Sequence, residues 1–248
     1  MIVLKCGGST LDNLPDSLYE QLIQLKKDGF DPVIVHGGGP AISNALETYG
    51  IEPQFIDGLR VTDEQTLKVV EMVLIGQTNK QIVKKLGGLG FGLSGLDGNL
   101  IEASQLKGPH GFVGQIEQVH PETIRIISRM GLIPVIAPLG IDENGQTYNI
   151  NADTAAGAIA AALEVSQLIV VTDVPGVMED GEVLSELTVD QVNQLINSEV
   201  ITGGMIPKVK AAMDALRAAE QVVIIDPSNL TMAVQGQAVG TKIIGKVN

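Results

Sequence analysis

Val33-Ile-Val-His-Gly-Gly-Gly-Pro40 decides the fold class of this chain. Three β-branched residues in a row leave no polar face, so they read as a strand buried on both sides. Three glycines then free the backbone. Pro40 suits the first turn of a helix running to about Tyr49. The same order recurs in both directions. Ile2-Val-Leu4 reads as a strand closed by Gly7-Gly8, and Leu14, Leu18, Leu22 and Leu25 recur at helical spacing until Gly29. Further on, Asp63 or Thr62 can cap a long helix reaching about Leu86, and a second glycine-dense stretch covers residues 87–98. Residues 121–130 predict a helix, 132–137 a strand, Asp142-Glu-Asn-Gly145 a hairpin turn and 152–163 an alanine-rich helix. Leu168-Ile-Val-Val171 is a buried strand ending at Asp173-Val-Pro-Gly176. Residues 188–197 predict a helix. Val209, Ala212, Met213 and Leu216 mark one face of another, opened by Pro207. Strands at 222–225 and 242–244 close the sheet. The expected architecture is α/β, a three-layer αβα sandwich around a mostly parallel central sheet. Ligands of such folds sit beyond the carboxyl ends of the strands, where the glycine clusters fall.

Composition narrows the function. The 248 residues carry 16 Lys+Arg against 29 Asp+Glu, a net charge of −13. That balance argues against nucleic acid or an anionic membrane as the main partner, because both need a basic footprint. One cysteine, Cys6, excludes an internal disulfide framework and a Cys-based zinc site. The first residues lack the charged flank and apolar core of a signal peptide, and no run of about 18 apolar residues suggests a membrane span. A cytoplasmic setting is the expectation. Glycine is unusually frequent, 29 residues against seven Phe and Tyr and no Trp. It either punctuates loops or lets backbone approach something closely.

Five segments carry candidate chemistry. Lys5-Cys-Gly-Gly-Ser9 places a lysine beside bare backbone that could meet a phosphate, or is a tight strand–helix turn with a snorkelling lysine. His36-Gly-Gly-Gly39 can form an anion-binding nest, or a turn that needs positive φ. An esterase oxyanion loop would need a G-x-S-x-G elbow, and Gly92-Leu-Ser-Gly-Leu96 lacks its last glycine. In Asn149-Ile-Asn-Ala-Asp153, Asn151 is a good N-cap; Asp153 then either complements the helix dipole or orients nearby lysines. Thr202-Gly-Gly-Met-Ile-Pro-Lys208 puts Lys208 near a helix N-terminus, where a cation is repelled unless an anion intervenes. Arg60, in Asp57-Gly-Leu-Arg-Val-Thr62, could grip a carboxylate with two nitrogens or be a solvated hairpin arginine. Walker and Rossmann spacings are not met at 236–242 or 88–93. Cys6 reads as a small strand-end residue and His36 as a holder of its own loop. His110 and His120 have no partner pattern.

Together the motifs resemble the amino acid kinase family. The match covers nearly the whole chain in order: Lys5-x-Gly-Gly, Val35-His-Gly-Gly-Gly39, Asp57-Gly-Leu-Arg-Val-Thr62, Gly76-Gln-Thr-Asn-Lys80, Ser94-Gly-Leu-Asp-Gly98, Asn149-Ile-Asn-Ala-Asp153, Thr172-Asp-Val-Pro-Gly-Val177, Gly203-Gly-Met-Ile-Pro-Lys208 and Gly240-Thr-Lys-Ile243. Each is short; nine in register are specific. The resemblance is greatest to the members that move the γ-phosphoryl of ATP onto the side-chain carboxylate of N-acetyl-L-glutamate, an early step of arginine biosynthesis. It implies a single domain, with an acceptor lobe over about residues 1–165 and an ATP lobe over about 166–248.

The same resemblance implies roles for single residues. Lys5 and Lys208 stabilise the transferring phosphoryl, and Asp153 organises the two lysines. Gly38 and Gly39 approach the acceptor, and Arg60 with Asn149 grips its α-carboxylate. Gly7, Gly8 and Gly37 contact the phosphoryl group. Asp173, Val174, Pro175, Gly176, Val177, Met178, Val200, Ile201, Thr202 and Gly204 line the nucleotide site. Mg²⁺ rides on the nucleotide phosphates, with no protein ligand assigned. The chemistry suits the motifs: a carboxylate is already ionised at neutral pH, so positioning and charge neutralisation suffice without a nucleophile or base. Arginine-inhibited relatives carry an extra N-terminal helix. This sequence opens at its first strand, so a plain homodimer without that feedback is expected. The nearest rival is a sister kinase for another carboxylate, such as carrier-linked aminoadipate. A non-catalytic nucleotide-binding regulator would be expected to lose Lys5, Lys208 or Asp153.

Overall fold

Successive side chains of the buried strands face opposite layers. In β1 (Ile2–Cys6), Val3 points into one core while Ile2, Leu4 and Cys6 point into another. In β2 (Pro32–His36), Val33 and Val35 share the side of Val3, and Ile34 the side of Leu4. β11 (Leu168–Val171) and β15 (Gln221–Ile225) divide their residues in the same way. A sheet apolar on both faces must be covered twice, at about 1.5–3 kcal/mol per fully buried aliphatic side chain. On the Val3 side lie α5 (Glu122–Arg129), α6 (Ala152–Ala162), α7 (Val189–Asn197) and α8 (Met205–Ala215). On the Leu4 side lie α1 (Asp16–Lys27), α4 (Asn79–Leu86) and α9 (Leu230–Val234). The computed structural model describes residues 1–7, 14–165, 167–216 and 221–245, without the Pro207 side chain; Gly8 and Ser9 lie outside them.

With β8 (Ile133–Ala137), β5 (Gly90–Ser94), β16 (Thr241–Ile244) and β14 (Glu186–Thr188), the sheet has eight strands in the order β14-β16-β15-β11-β1-β2-β8-β5. Every neighbouring pair is parallel except β15 and β16. The three-layer αβα architecture expected from the sequence is therefore present. The chain leaves β1 toward β2 on one side and returns to β11 on the other, which opens a crevice at the strand ends. Register levels those ends, because Cys6 pairs with both His36 and Val171.

Three features differ from the simple sequence reading. The helix capped by Asp63, whose carboxylate accepts from Thr66 N–H at 2.7 Å, is not uniform. It runs as α3 (Glu64–Glu71), a π-helical segment (Met72–Thr78) and then α4. The glycine-dense stretch hides the strand β5. Its glycines admit α4: a Cβ on Gly92 would lie 2.6 Å from Lys80 Nζ, and one on Gly90 would lie 2.9 Å from the Val83 carbonyl. A second sheet, β10-β9-β6-β7, forms from β6 (Ile101–Gln105), β7 (Gly114–Val119), β9 (Leu139–Ile141) and β10 (Thr147–Asn149). The turn expected at Asp142 joins β9 to β10. Two short hairpins complete the fold, β3 (Phe55–Ile56) with β4 (Leu59–Arg60) and β12 (Met178–Glu179) with β13 (Glu182–Val183). Among the described residues no helix is long and apolar enough to cross a membrane.

Candidate active site

Where β1, β2 and β11 end, a cavity of about 620 Å³ opens. It is lined by Lys5, Gly7, Gly37, Gly38, Gly39, Arg60, Asn149, Asp153, Asp173, Gly204 and Lys208, together with apolar walls that include Ile42, Leu74, Val113 and Ile150. Residues as far apart in sequence as Lys5 and Lys208 thus meet in one space. Three helices begin there: α2 (Gly39–Thr48), α6 and α8. Its charged lining is three cations against two carboxylates, 3 − 2 = +1, in a chain of net −13. Positive helix ends add to that local excess, and the site is suited to anions.

The lysines are held separately. Lys5 Nζ lies 2.9 Å from Asp153 Oδ1 as a charge contact without hydrogen-bond alignment, and both side chains are largely buried. The Lys5 side chain lies over Gly7, where any Cβ would collide with it. Asp153 sits in the first turn of α6 because Asn151 caps that helix, accepting from the N–H of Asp153 at 2.9 Å and of Thr154 at 3.0 Å. Lys208 pairs with Asp173. In this structure Asp153 therefore holds one lysine, not two, and Asp173 holds the other. The Lys208 ammonium draws the Asp173 carboxyl below its usual range. Lys208 stands in the first turn of α8, as expected, but that turn offers few bare donors. The N–H groups of Met205 and Ile206 bond to the carbonyls of Thr202 and Gly203, and Pro207 has none. Asp173 is what offsets the repulsion between this cation and the helix end.

Glycine packing sets how close α6 and α8 come. A Cβ on Gly157 would lie 2.7 Å from the Ala215 carbonyl. The glycine triad behaves differently from a positive-φ turn. Gly38 has φ 174°, extended backbone, and none of Gly37, Gly38 and Gly39 is left-handed. Gly38 is needed for space, because a Cβ there would lie 2.7 Å from Leu74 Cδ2. Gly37 already gives its N–H to the Cys6 carbonyl at 2.8 Å. The nest is thereby narrowed to the start of α2, where no side chain caps the helix.

Arg60 is 7% exposed, so it is no solvated hairpin arginine. Its Nη2 donates to the Gly39 carbonyl at 3.0 Å and to Ser43 Oγ at 2.9 Å, while Phe55 covers the guanidinium at 4.7 Å. Its Nη1 is buried with no partner, and burial draws its pKa down. A carboxylate arriving in the cavity would satisfy that nitrogen. Asn149 Nδ2 donates to Thr62 Oγ1 at 3.2 Å, and that hydroxyl donates to the Arg60 carbonyl at 2.9 Å. Ser43 and Phe55 were not singled out in the sequence, and Thr62 only as a candidate helix cap and as the end of the arginine's motif.

The expected nucleotide segments divide. Asp173, Gly204 and the adjoining Thr172 line the cavity. Val174, Pro175 and Gly176 form the loop leaving β11, with Gly176 backed onto Thr241. Val177 and Ile201 are core residues whose N–H groups are bonded within the fold, to Thr241 Oγ1 and the Leu195 carbonyl. Met178 and Val200 expose apolar side chains at 44% and 37%, and Thr202 is exposed. His36 is fully buried and Cys6 nearly so. Burial pushes the His36 imidazole down to about 4 and the Cys6 thiol up to about 12, so neither is a base or nucleophile near neutral pH.

Proteins named acetylglutamate kinase are similar to this chain over nearly its whole length. An acetylglutamate kinase from Brevibacillus brevis is 50% identical, with 100% of this chain and 98% of that protein covered. One from Geobacillus kaustophilus is 48% identical, over 98% of this chain and 95% of that protein. The crystal structure of smu.665 from Streptococcus mutans UA159 superposes with a TM-score of 0.83 at 34% identity, covering 98% of both chains. Residues 1–226 match the model of the amino acid kinase family, and it is to that family that this chain belongs.

Proposed function

We propose that this chain transfers the γ-phosphoryl group of ATP to the side-chain carboxylate of N-acetyl-L-glutamate. A carboxylate oxygen forms the new bond to phosphorus, the bond to the β–γ bridging oxygen breaks, and ADP leaves. The product, N-acetyl-L-glutamyl 5-phosphate, belongs to arginine biosynthesis. The observation that carries the reading is the joining of two unlike ends in one cavity. One end is a buried, under-bonded arginine beside Asn149; the other is a pair of lysines, each steadied by its own carboxylate. Relatives of the same length, 48–50% identical, support the substrate.

In this reading Arg60 and Asn149 hold the α-carboxylate, and Gly38 and Gly39 let the acceptor's reacting end approach the backbone. Lys5 and Lys208 neutralise charge that spreads over the phosphoryl oxygens in the transition state. Gly7, Gly8 and Gly37 border the phosphoryl group. Asp153 keeps Lys5 aimed, and the nucleotide phosphates take Lys208 over from Asp173. The nucleotide runs along the C-terminal half of the crevice, past Asp173 to Gly176, Met178 and the 200–204 segment, with Val177 and Ile201 supporting it from beneath. Mg²⁺ travels with the phosphates and offsets their charge. The acceptor lobe spans about residues 1–165 and the ATP lobe about 166–248. We take the chain to act as a homodimer in the cytoplasm.

An acceptor panel with ATP and Mg²⁺ tests the reading, following ADP release and trapping acyl phosphate with hydroxylamine. N-acetyl-L-glutamate should far outrun glutamate, aspartate, carbamate and UMP. Equal or faster turnover of any of these would end the substrate assignment.

A further inference from the structure

The motif Gly76-Gln-Thr-Asn-Lys80 has no part in the chemistry above, yet its Asn79 is 1% exposed and bonded in three directions. Asn79 Nδ2 donates to the Val135 carbonyl of β8 at 2.8 Å and to the Leu93 carbonyl of β5 at 3.2 Å. It also lies 3.2 Å from His36 Nε2. His36 Nδ1 is 2.8 Å from the Gly37 carbonyl. The Gly37 carbonyl can only accept, so the ring carries its proton on Nδ1; Nε2 is then bare and shares the two hydrogens of the Asn79 amide with the two carbonyls. That proton then points at Gly37. We propose that Asn79 and His36 form a buried positioning relay that sets the angle of the glycine loop over the reacting groups.

The geometry explains why two residues far from the cations are used. Gly37 is pinned at both peptide groups: its N–H to the Cys6 carbonyl, its carbonyl to His36. Those two pins restrict how the chain leaves β2, and Gly38 and Gly39 follow into the cavity. Glycines provide no stiffness of their own, so the orientation must come from outside the loop. A neutral ring suits the task, since a second proton on Nε2 would meet the Asn79 amide donor. Asn79 and His36 touch no substrate in this account. They act through Gly37, and their role rests on the reaction proposed above.

Substitutions at His36 separate the two bonds. His36→Asn keeps a donor near the Nδ1 position, whereas His36→Gln reaches toward Asn79 and leaves the Gly37 carbonyl without a partner. Misplaced reacting groups should lower kcat of His36→Gln by about 10- to 100-fold, with both KM values within about threefold. His36→Asn should recover kcat to within about fivefold of the parent. Thermal unfolding, recorded alongside, measures the structural cost of each change. Equal kcat in the two variants, or parent-like kcat in His36→Gln, would overturn the relay. Imidazole ¹⁵N spectra of the parent protein decide the point independently of turnover. They should show His36 protonated on Nδ1 and bare on Nε2; the opposite tautomer, or a doubly protonated ring at pH 6, would refute it even if the acceptor panel succeeds.

Discussion

The two ends of the cavity are built on different principles. At the end proposed for the acceptor, Arg60 is almost wholly buried, bonded to Gly39 and Ser43, and covered by Phe55. Asn149 is tied through Thr62 to the Arg60 backbone. At the end proposed for the nucleotide, Asp173, Thr202 and Gly204 are exposed, and Met178 and Val200 show apolar side chains to solvent. The Lys208–Asp173 pair there is half open to water, which limits what it contributes to stability. One end is formed before its ligand arrives. The other is more open, with a partly exposed ion pair and exposed apolar side chains that a ligand could still cover. Preformed sites spend little binding energy on ordering, so substitutions at the two ends should fail in different ways.

The largest expected effect lies at the open end. Lys208→Ala should lower kcat by roughly 10²–10³-fold, the scale of losing one charge-stabilising donor. Asp173 would then be left without its partner. Near-normal turnover would remove Lys208 from the reaction and make its pairing with Asp173 merely structural. At the preformed end, Arg60→Ala should raise the acceptor KM by about 10²-fold while kcat at saturation falls far less. A change confined to the ATP KM would dissolve the contrast between the two ends.

That contrast was only partly legible in the sequence. The buried strands were, because Val33-Ile-Val35 and Leu168-Ile-Val-Val171 have no polar face to give to water. β5 was not: Gly90-Phe-Gly-Leu-Ser94 offers one buried aliphatic residue, and its glycines serve the close approach of α4. The strands β6 and β7 escaped as well, since Ile-Glu-Ala-Ser-Gln and Gly-Gln-Ile-Glu-Gln-Val are half solvated and carry weak apolar signal. For the site, motifs located the cations, and the cavity does bring Lys5, Arg60 and Lys208 together. Pairing was beyond reach: Asp153 was expected to organise both lysines, and nothing in the sequence sets Asp173 beside Lys208. Asn79 stood in a motif with no role to assign, because the three acceptors around it come from other strands.

The buried network makes a second distinction, in stability rather than turnover. His36 has a folded pKa of about 4 against 6.5 for a free imidazole. As pH falls below 6.5 the unfolded chain takes a proton that the folded chain refuses, so stability declines until about pH 4 and then levels. Over pH 6.5 to 5 the loss should be about 1.5 kcal/mol, since the full 1.36 kcal/mol per unit applies only once the unfolded imidazole is mostly protonated. Lys208 holds the Asp173 carboxyl below its usual range, so that carboxylate at the open end stays ionised throughout that window. Denaturant titrations at several pH values should show this slope in the parent and lose it in His36→Gln. An unchanged slope in the variant would mean that His36 is not the buried neutral group behind it.

The smallest expected effect tests whether the open end is open in function. Met178 begins β12 and is 44% exposed, with no hydrogen bond to make and little packing to lose. If a nucleotide covers it, truncation removes contact only in the bound state. Met178→Ala should then raise the ATP KM by about two- to fivefold, within the ~1 kcal/mol scale of partly burying such a side chain. Thermal stability and the acceptor KM should both stay put, because the free protein leaves Met178 in water. A matching loss of stability would show that Met178 already packs against the fold without a nucleotide. The C-terminal end would then be as preformed as the pocket around Arg60, and the lysines there would need no ligand to order their surroundings.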